Sequence, residues 1–219
     1  MQPCSGIRKL LQEATAPAHQ RLHNHAGLAA VASGTINKHD YICLLKRLYG
    51  FHRSFDEMLC AAGPAFQTGL DLRIRQRAFH IGQDLATLGV DKLTLANLPL
   101  CDAITPPVSC AELLGALYVV EGSTLGGRVL ARALSSLLGP DGMDGRRFFF
   151  GYGEEHATMW RDVVMQIEAN ANTPARQIEI VKGATRAFRD FEMWMKDWRA
   201  VVLSPGHQFH DRMDEQTIR

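Results

Sequence analysis

Three glycines, Gly122, Gly126 and Gly127, interrupt a segment (109–139) that otherwise reads as one long apolar helix. Each interior glycine costs a helix roughly 1 kcal/mol relative to alanine, so three within six residues call for a reason. A spacing of four puts Gly122 and Gly126 on one face and bares backbone where something large and flat could approach. A tight helix–helix crossing would use the same residues. The second candidate is near the N-terminus, where His19 and His23 stand four apart and could face one ligand, as zinc-binding pairs do. Zinc would want further carboxylate, histidine or thiolate ligands. A single histidine on an early helix could instead be the axial ligand of a haem iron, and a solvated surface histidine needs no ligand at all.

The elements that must position these residues read as helices throughout. Ile7, Leu10, Leu11 and Ala14 fall at helical spacing, as do Ala18 and Leu22. Pro17 between them predicts a restart, with Thr15 as a fresh N-cap. A helix from about Thr35 or Asn37 through Leu59 should stop at Gly63-Pro64. A third is expected over 72–88, closed by Gly89, and a proline-marked loop then leads to the glycine helix. Ser109 and Glu112 form a capping box for that helix, and Gly139-Pro140 closes it. Residues 141–153 read as a loop and 154–170 as a helix. Thr173-Pro174 opens a last helix ending near Val202. No alternating strand pattern with hairpin chemistry is present, and the fold class expected is all-α. The predicted organisation is one domain, 1–203, with a polar, flexible tail over 204–219.

Composition narrows the function classes. The 219 residues carry 24 basic and 23 acidic side chains, net +1, with no overall electrostatic signature of nucleic-acid binding. Five cysteines without a CxxC pair suit reduced thiols in a cytoplasm. No apolar run approaches the roughly 20 residues of a membrane span, and the N-terminus is too charged for a signal peptide.

The stretch Leu11-Gln-Glu-Ala-Thr-Ala-Pro-Ala-His19 resembles the proximal-helix motif of the haem (heme) oxygenases, and Tyr118-Val-Val-Glu-Gly-Ser-Thr-Leu-Gly-Gly127 is similar to the bacterial form of that family's distal helix. Met159-Trp160-Arg161 and Ala187-Phe188 add local matches in the right order. The resemblance covers about residues 7–200. It implies a haem-oxygenase-like helical fold with haem b held between a proximal and a kinked distal helix. It also implies that His19 binds the iron and that Gly122 and Gly126 bring backbone close to the sixth position, where O2 binds. Haem is then both prosthetic group and substrate, opened to biliverdin, carbon monoxide and ferrous iron.

Ser123 stands where many relatives carry an aspartate, so proton delivery would rest on water and backbone; Gly122, Ser123 and Gly126 are the catalytic candidates. The motif matches make Arg161 the first candidate for the haem propionates and Phe188 a further pocket residue, with Arg128, Lys46 and Arg47 as alternatives for the cation. Glu121 is about 100° round the helix from Gly122 and reads as a helix-surface or interhelical carboxylate. Phe148–Phe150 and Tyr152 would either cover the pocket or pack between helices. Electrons must come from an external ferredoxin or flavoprotein, since no flavin or iron–sulfur motif is present. The Glu121–Gly127 wording leans toward the type that supplies a biliverdin-binding photoreceptor. Two other classes remain open: a non-catalytic haem-binding or transfer protein, and a thiaminase-like helical enzyme using Cys110 or Cys43 as nucleophile.

Overall fold

A computed structural model describes residues 6–140 and 142–200, and every regular element among them is helical. The order is α1 (Ile7–His23), α2 (Ala26–Ala32), α3 (Lys38–Ala62), a 3-10 turn (Arg73–Arg75), α4 (Ala78–Thr87), α5 (Lys92–Ala96), α6 (Cys110–Ala133), α7 (Ser135–Leu138), α8 (Arg147–Phe150), a second 3-10 turn (Gly153–Glu155), α9 (His156–Asn170) and α10 (Pro174–Met195).

The long helices start where local capping dictates. The side chains of Asn37, Ser109 and Thr173 accept from the backbone N–H three residues on, at 2.9, 3.2 and 3.3 Å. Glu112 completes the start of α6 by accepting from Val108 N rather than from the cap residue. Its carboxylate also pairs with Lys182 and Arg186 of α10.

Several boundaries differ from the sequence expectation. α1 does not restart at Thr15; it runs through Pro17, and Thr15 is buried with its hydroxyl donating to Leu11 O. Pro17 and Glu13, whose carbonyl loses its helical partner, are both exposed, so water can satisfy what the proline removes. The 72–88 helix is a 3-10 turn followed by α4, because Asp56 on α3 accepts from Arg77 N and Ala78 N and starts a new helix there. α5 lies inside the proline-marked loop and α8 inside the 141–153 loop. α8 forms because Asp84 of α4 accepts from Arg147 N and Phe148 N. α9 begins at His156 after its own 3-10 turn, and α10 ends at Met195, not near Val202. The expected tail, 204–219, lies outside the described residues.

α6 and α10 form the centre, with α1 and α9 packed against both helices or their neighbours. Ile7 and Leu11 of α1 share a core with Ala111, Leu114 and Leu117 of α6. At the other end the turn after α2 meets the end of α6, where Ser136 donates to Gly34 O. α1 therefore runs alongside α6 in the same direction. The second core, around Tyr41, Leu44, Leu45, Ile81 and Leu85, lies between α3 and α4 and takes Phe148 and Phe149 of α8.

Candidate functional site

α1 and α6 share a core near their starts. Tyr118 of α6 lies beside Thr15 of α1, the last buried residue of that helix, whose hydroxyl donates to Leu11 O. One turn further, His19 follows Thr15 and Gly122 follows Tyr118, each on the same face as its predecessor. His19 is exposed, and its ring meets that of His23 at 4.6 Å. His19 of α1 and the Gly122–Gly126 face of α6 both lie beyond the core that the starts of these helices share, and before the Gly34–Ser136 contact at the end of α6.

This face of α6 is bare. Helical structure continues through all three glycines. A Cβ on Gly126 would meet nothing within 4 Å, and on Gly122 only the Trp160 ring at 3.5 Å. Leu125 and Val129, which continue the same stripe at spacings of three and seven from Gly122, are 48% and 64% exposed. An apolar stripe left open in the middle of an otherwise packed helix lacks a partner. Gly127 differs: a Cβ there would lie 2.5 Å from Phe149 O, so this third glycine serves the α6–α8 packing. Ser123 is exposed, and its hydroxyl donates to Val120 O at 2.7 Å.

Behind this face lies a buried ionic cluster. Glu121 and Arg75, 1% and 2% exposed, pair at 3.3 Å. The Tyr152 hydroxyl donates to the other Glu121 oxygen at 2.8 Å, and Thr124 donates to Glu121 O while lying 3.4 Å from His156 Nε2. Burial raises the Glu121 carboxyl, opposed chiefly by the Arg75 charge. The interhelical reading of Glu121 is the one the structure bears out. Arg77 donates to Phe148 O and lies over the rings of Phe148 and Tyr152, so that aromatic segment packs between helices. Buried His52, in ring contact with Phe148, is held well below its ordinary pKa by burial and then by Arg77.

The remaining sequence candidates separate clearly. Arg161 is exposed beside Trp160, the residue that contacts the Gly122 face. Arg128 and Lys46 are at least partly exposed, whereas Arg47 stacks on Trp194 at 3.6 Å and donates to its carbonyl. Phe188 is buried on α10, the helix that both α1 and α6 pack against. Burial raises the thiol pKa of both Cys43 and Cys110, which opposes the activated nucleophile a thiaminase-like reaction needs. Among the described residues no three His, Cys, Asp or Glu side chains converge, so His19 and His23 lack the further ligands of a zinc site.

Arg75 was not legible from the sequence as part of this region. It follows two exposed residues in a short turn, and only its buried contacts across three elements mark it.

Comparison with known proteins bears on this arrangement. A protein called heme oxygenase from Xanthomonas campestris pv. campestris (strain 8004) is 29% identical over 165 residues, 75% of this chain and 93% of that protein. The NO- and CO-bound heme oxygenase from Neisseria meningitidis superposes with a TM-score of 0.71 at 23% identity, covering 92% of this chain and 96% of that one. Heme oxygenase-1 from the cyanobacterium Synechocystis sp. PCC6803, solved in complex with heme, gives 0.67 at 18% identity over 87% and 90%. With the heme oxygenase family model matching residues 5–197, which span α1 to α10, the chain belongs to the heme oxygenase family.

Proposed function

We propose that this haem-degrading enzyme holds its substrate in a cleft between α1 and α6, with His19 as the iron ligand and Gly122, Ser123 and Gly126 as the distal surface. One observation carries the reading: the Gly122–Gly126 stripe of α6 is apolar, free of side chains at Gly126 and without a protein partner. A planar apolar macrocycle fits such a face, and its iron would lie toward the histidine.

Haem, when bound, supplies the iron and the porphyrin that is opened to biliverdin, carbon monoxide and ferrous iron, using O2 and electrons from an external ferredoxin or flavoprotein. The protein's part is to bind, orient and manage protons. Desolvation, and then the neighbouring charge of His23, lower the pKa of His19, a shift toward the neutral ring that can donate a lone pair. Gly122 and Gly126 keep side chains out of the space over the iron. The Ser123 hydrogen is committed to Val120 O, so its oxygen can anchor a water but does not deliver a proton. Arg161 suits a propionate, where a guanidinium can bind both carboxylate oxygens. Phe188 lines the rear on α10. Free Cys43, Cys60, Cys101 and Cys110 support a reducing compartment such as the cytoplasm. Supply of biliverdin to a photoreceptor is the use we favour for the product.

Titration with haem, followed by ascorbate under air with catalase, tests the reading. A histidine-type Soret band that decays into the red absorbance of biliverdin supports it. A band that persists favours the second reading, a haem carrier, for which the lack of an acid at Ser123 is the motivating observation. No band at all rejects both.

A further inference from the structure

We infer that Arg75 is a positioning residue for the haem cleft: one buried guanidinium holds both the turn that carries Gly122 and the turn that carries Trp160, and so sets the gap between the distal backbone and the indole. The inference rests on the cleft being the haem site.

The 3-10 turn Arg73–Arg75 leaves Arg73 and Ile74 in solvent and sends Arg75 inward, to 2% exposure. Its Nη1 lies 3.3 Å from the Glu121 carboxylate and, at 3.3 Å, also donates to the Met159 carbonyl. Each partner immediately precedes a wall residue, Gly122 on α6 and Trp160 on α9. Those two wall residues meet: the Trp160 ring carbons Cη2 and Cζ3 lie 3.5 Å from where a Gly122 Cβ would sit, and the ring also tilts against Tyr118 at 5.5 Å between centroids. Tyr152 donates to the other Glu121 oxygen, so both oxygens of the carboxylate are held.

A buried ion pair is weak evidence for stability, because apolar residues of similar volume often do as well. What apolar packing does not supply is direction. A guanidinium can bond a carboxylate on one helix and a carbonyl on another at fixed angles. Here the hydrogen bond to Met159 O and the ionic contact with Glu121 tie the two turns together and set the height of the indole over a glycine that has no side chain of its own to hold it off. Trp160 then forms the edge against which a porphyrin on the Gly122–Gly126 face would abut, and its placement would select the rotation of the macrocycle and hence the carbon attacked.

The experiment uses the full chain with Arg75→Lys, Glu121→Gln and Trp160→Phe, each titrated with haem. Four quantities are read: apoprotein melting temperature, haem dissociation constant, circular dichroism across the Soret band, and biliverdin isomer ratio. Glu121→Gln keeps the shape and the Tyr152 contact, so it decides the matter if Arg75→Lys does not fold. The expected result is a roughly tenfold weaker haem affinity in the Arg75 and Glu121 variants. It comes with an altered Soret dichroism and isomer ratio that Trp160→Phe reproduces with Arg75 intact. A lowered melting temperature with dichroism and isomer ratio unchanged in both variants would make Arg75 merely structural and overturn the inference. Absence of a Soret band in the unmodified protein removes the haem reading itself and the inference with it, and is told apart because it needs no variant.

Discussion

Gly115 and Gly183 sit on either side of the α6–α10 crossing, each lacking the carbon that would run into the backbone of the other helix. A Cβ on Gly115 would collide with Ile180 O, and one on Gly183 with Glu112 O. This crossing holds α6 against α10. It also separates two uses of glycine on one helix, since Gly126, eleven residues on from Gly115, would collide with nothing.

Alanine at these positions should therefore act in opposite directions. Gly115→Ala and Gly183→Ala force the backbones apart and should each cost the apoprotein about 1–3 kcal/mol or more. Gly126→Ala adds a better helix former in open space and should stabilise the apoprotein by up to about 1 kcal/mol, while weakening haem affinity or turnover. Urea unfolding without haem, set against Soret titration, measures both. Gly126→Ala lowering apoprotein stability would return that glycine to packing.

How much of this was legible in the sequence depends on whether the cause was local. Asn37, Ser109 and Thr173 announce their helices because each caps an amide three residues away. α4 and α8 are started by carboxylates 21 and 63 residues earlier, Asp56 and Asp84, and no local pattern signals that. Pro17 misleads for a related reason: its cost depends on whether the freed carbonyl faces water, which spacing does not tell. At the site, His19 and the Gly122–Gly126 stripe stand out by type and spacing. Gly115 and Gly183 do not, although they pack far more tightly, because each stands apart from any cluster of glycines in sequence. Arg75 is one of 24 basic residues until its burial is known.

Replacing His19 should separate ligation from binding. His19→Ala should lose the histidine-type Soret band and turnover, and added imidazole should restore the band. His23→Ala should keep both, because His23 enters only through its ring contact and charge. A His19→Ala protein with an unchanged spectrum would place the iron ligand elsewhere.

Ser123→Ala should slow turnover less than about tenfold and leave haem affinity unchanged, since the hydroxyl hydrogen is already spent on Val120 O. Single-turnover kinetics under ascorbate provide the check. A loss of a thousandfold would mean that the serine itself carries the proton.

Burial pushes the carboxyls of Asp56 and Asp84 up to about 6 from an ordinary 3.8. Each then binds its proton more tightly in the folded chain than in the unfolded one. Its contribution is present in full below about pH 4 and is lost as pH rises through about 6. Each group is worth about 2–3 kcal/mol across that window. Buried His52 acts with the opposite sign, its lowered pKa making the fold less stable as pH falls below its ordinary 6.5. Single variants resolve the two. Relative to the unmodified protein, Asp84→Asn should gain stability steadily between about pH 4 and 6 and not beyond. A difference curve that is flat in urea unfolding would reject the assignment.

Beyond Thr15, α1 has no fully buried residue, so the half of the helix that carries His19 is fastened mainly at its edges, by Arg21 to Glu192 and by His25 to Met195 O. Such a segment belongs to the part of a fold that opens first, and its amide hydrogens should exchange soonest in the empty protein and slow when haem binds. The tightening is temporary by the nature of the reaction. On the proposed function the stabilising molecule is itself consumed, so the segment should return to the looser state once the product has left.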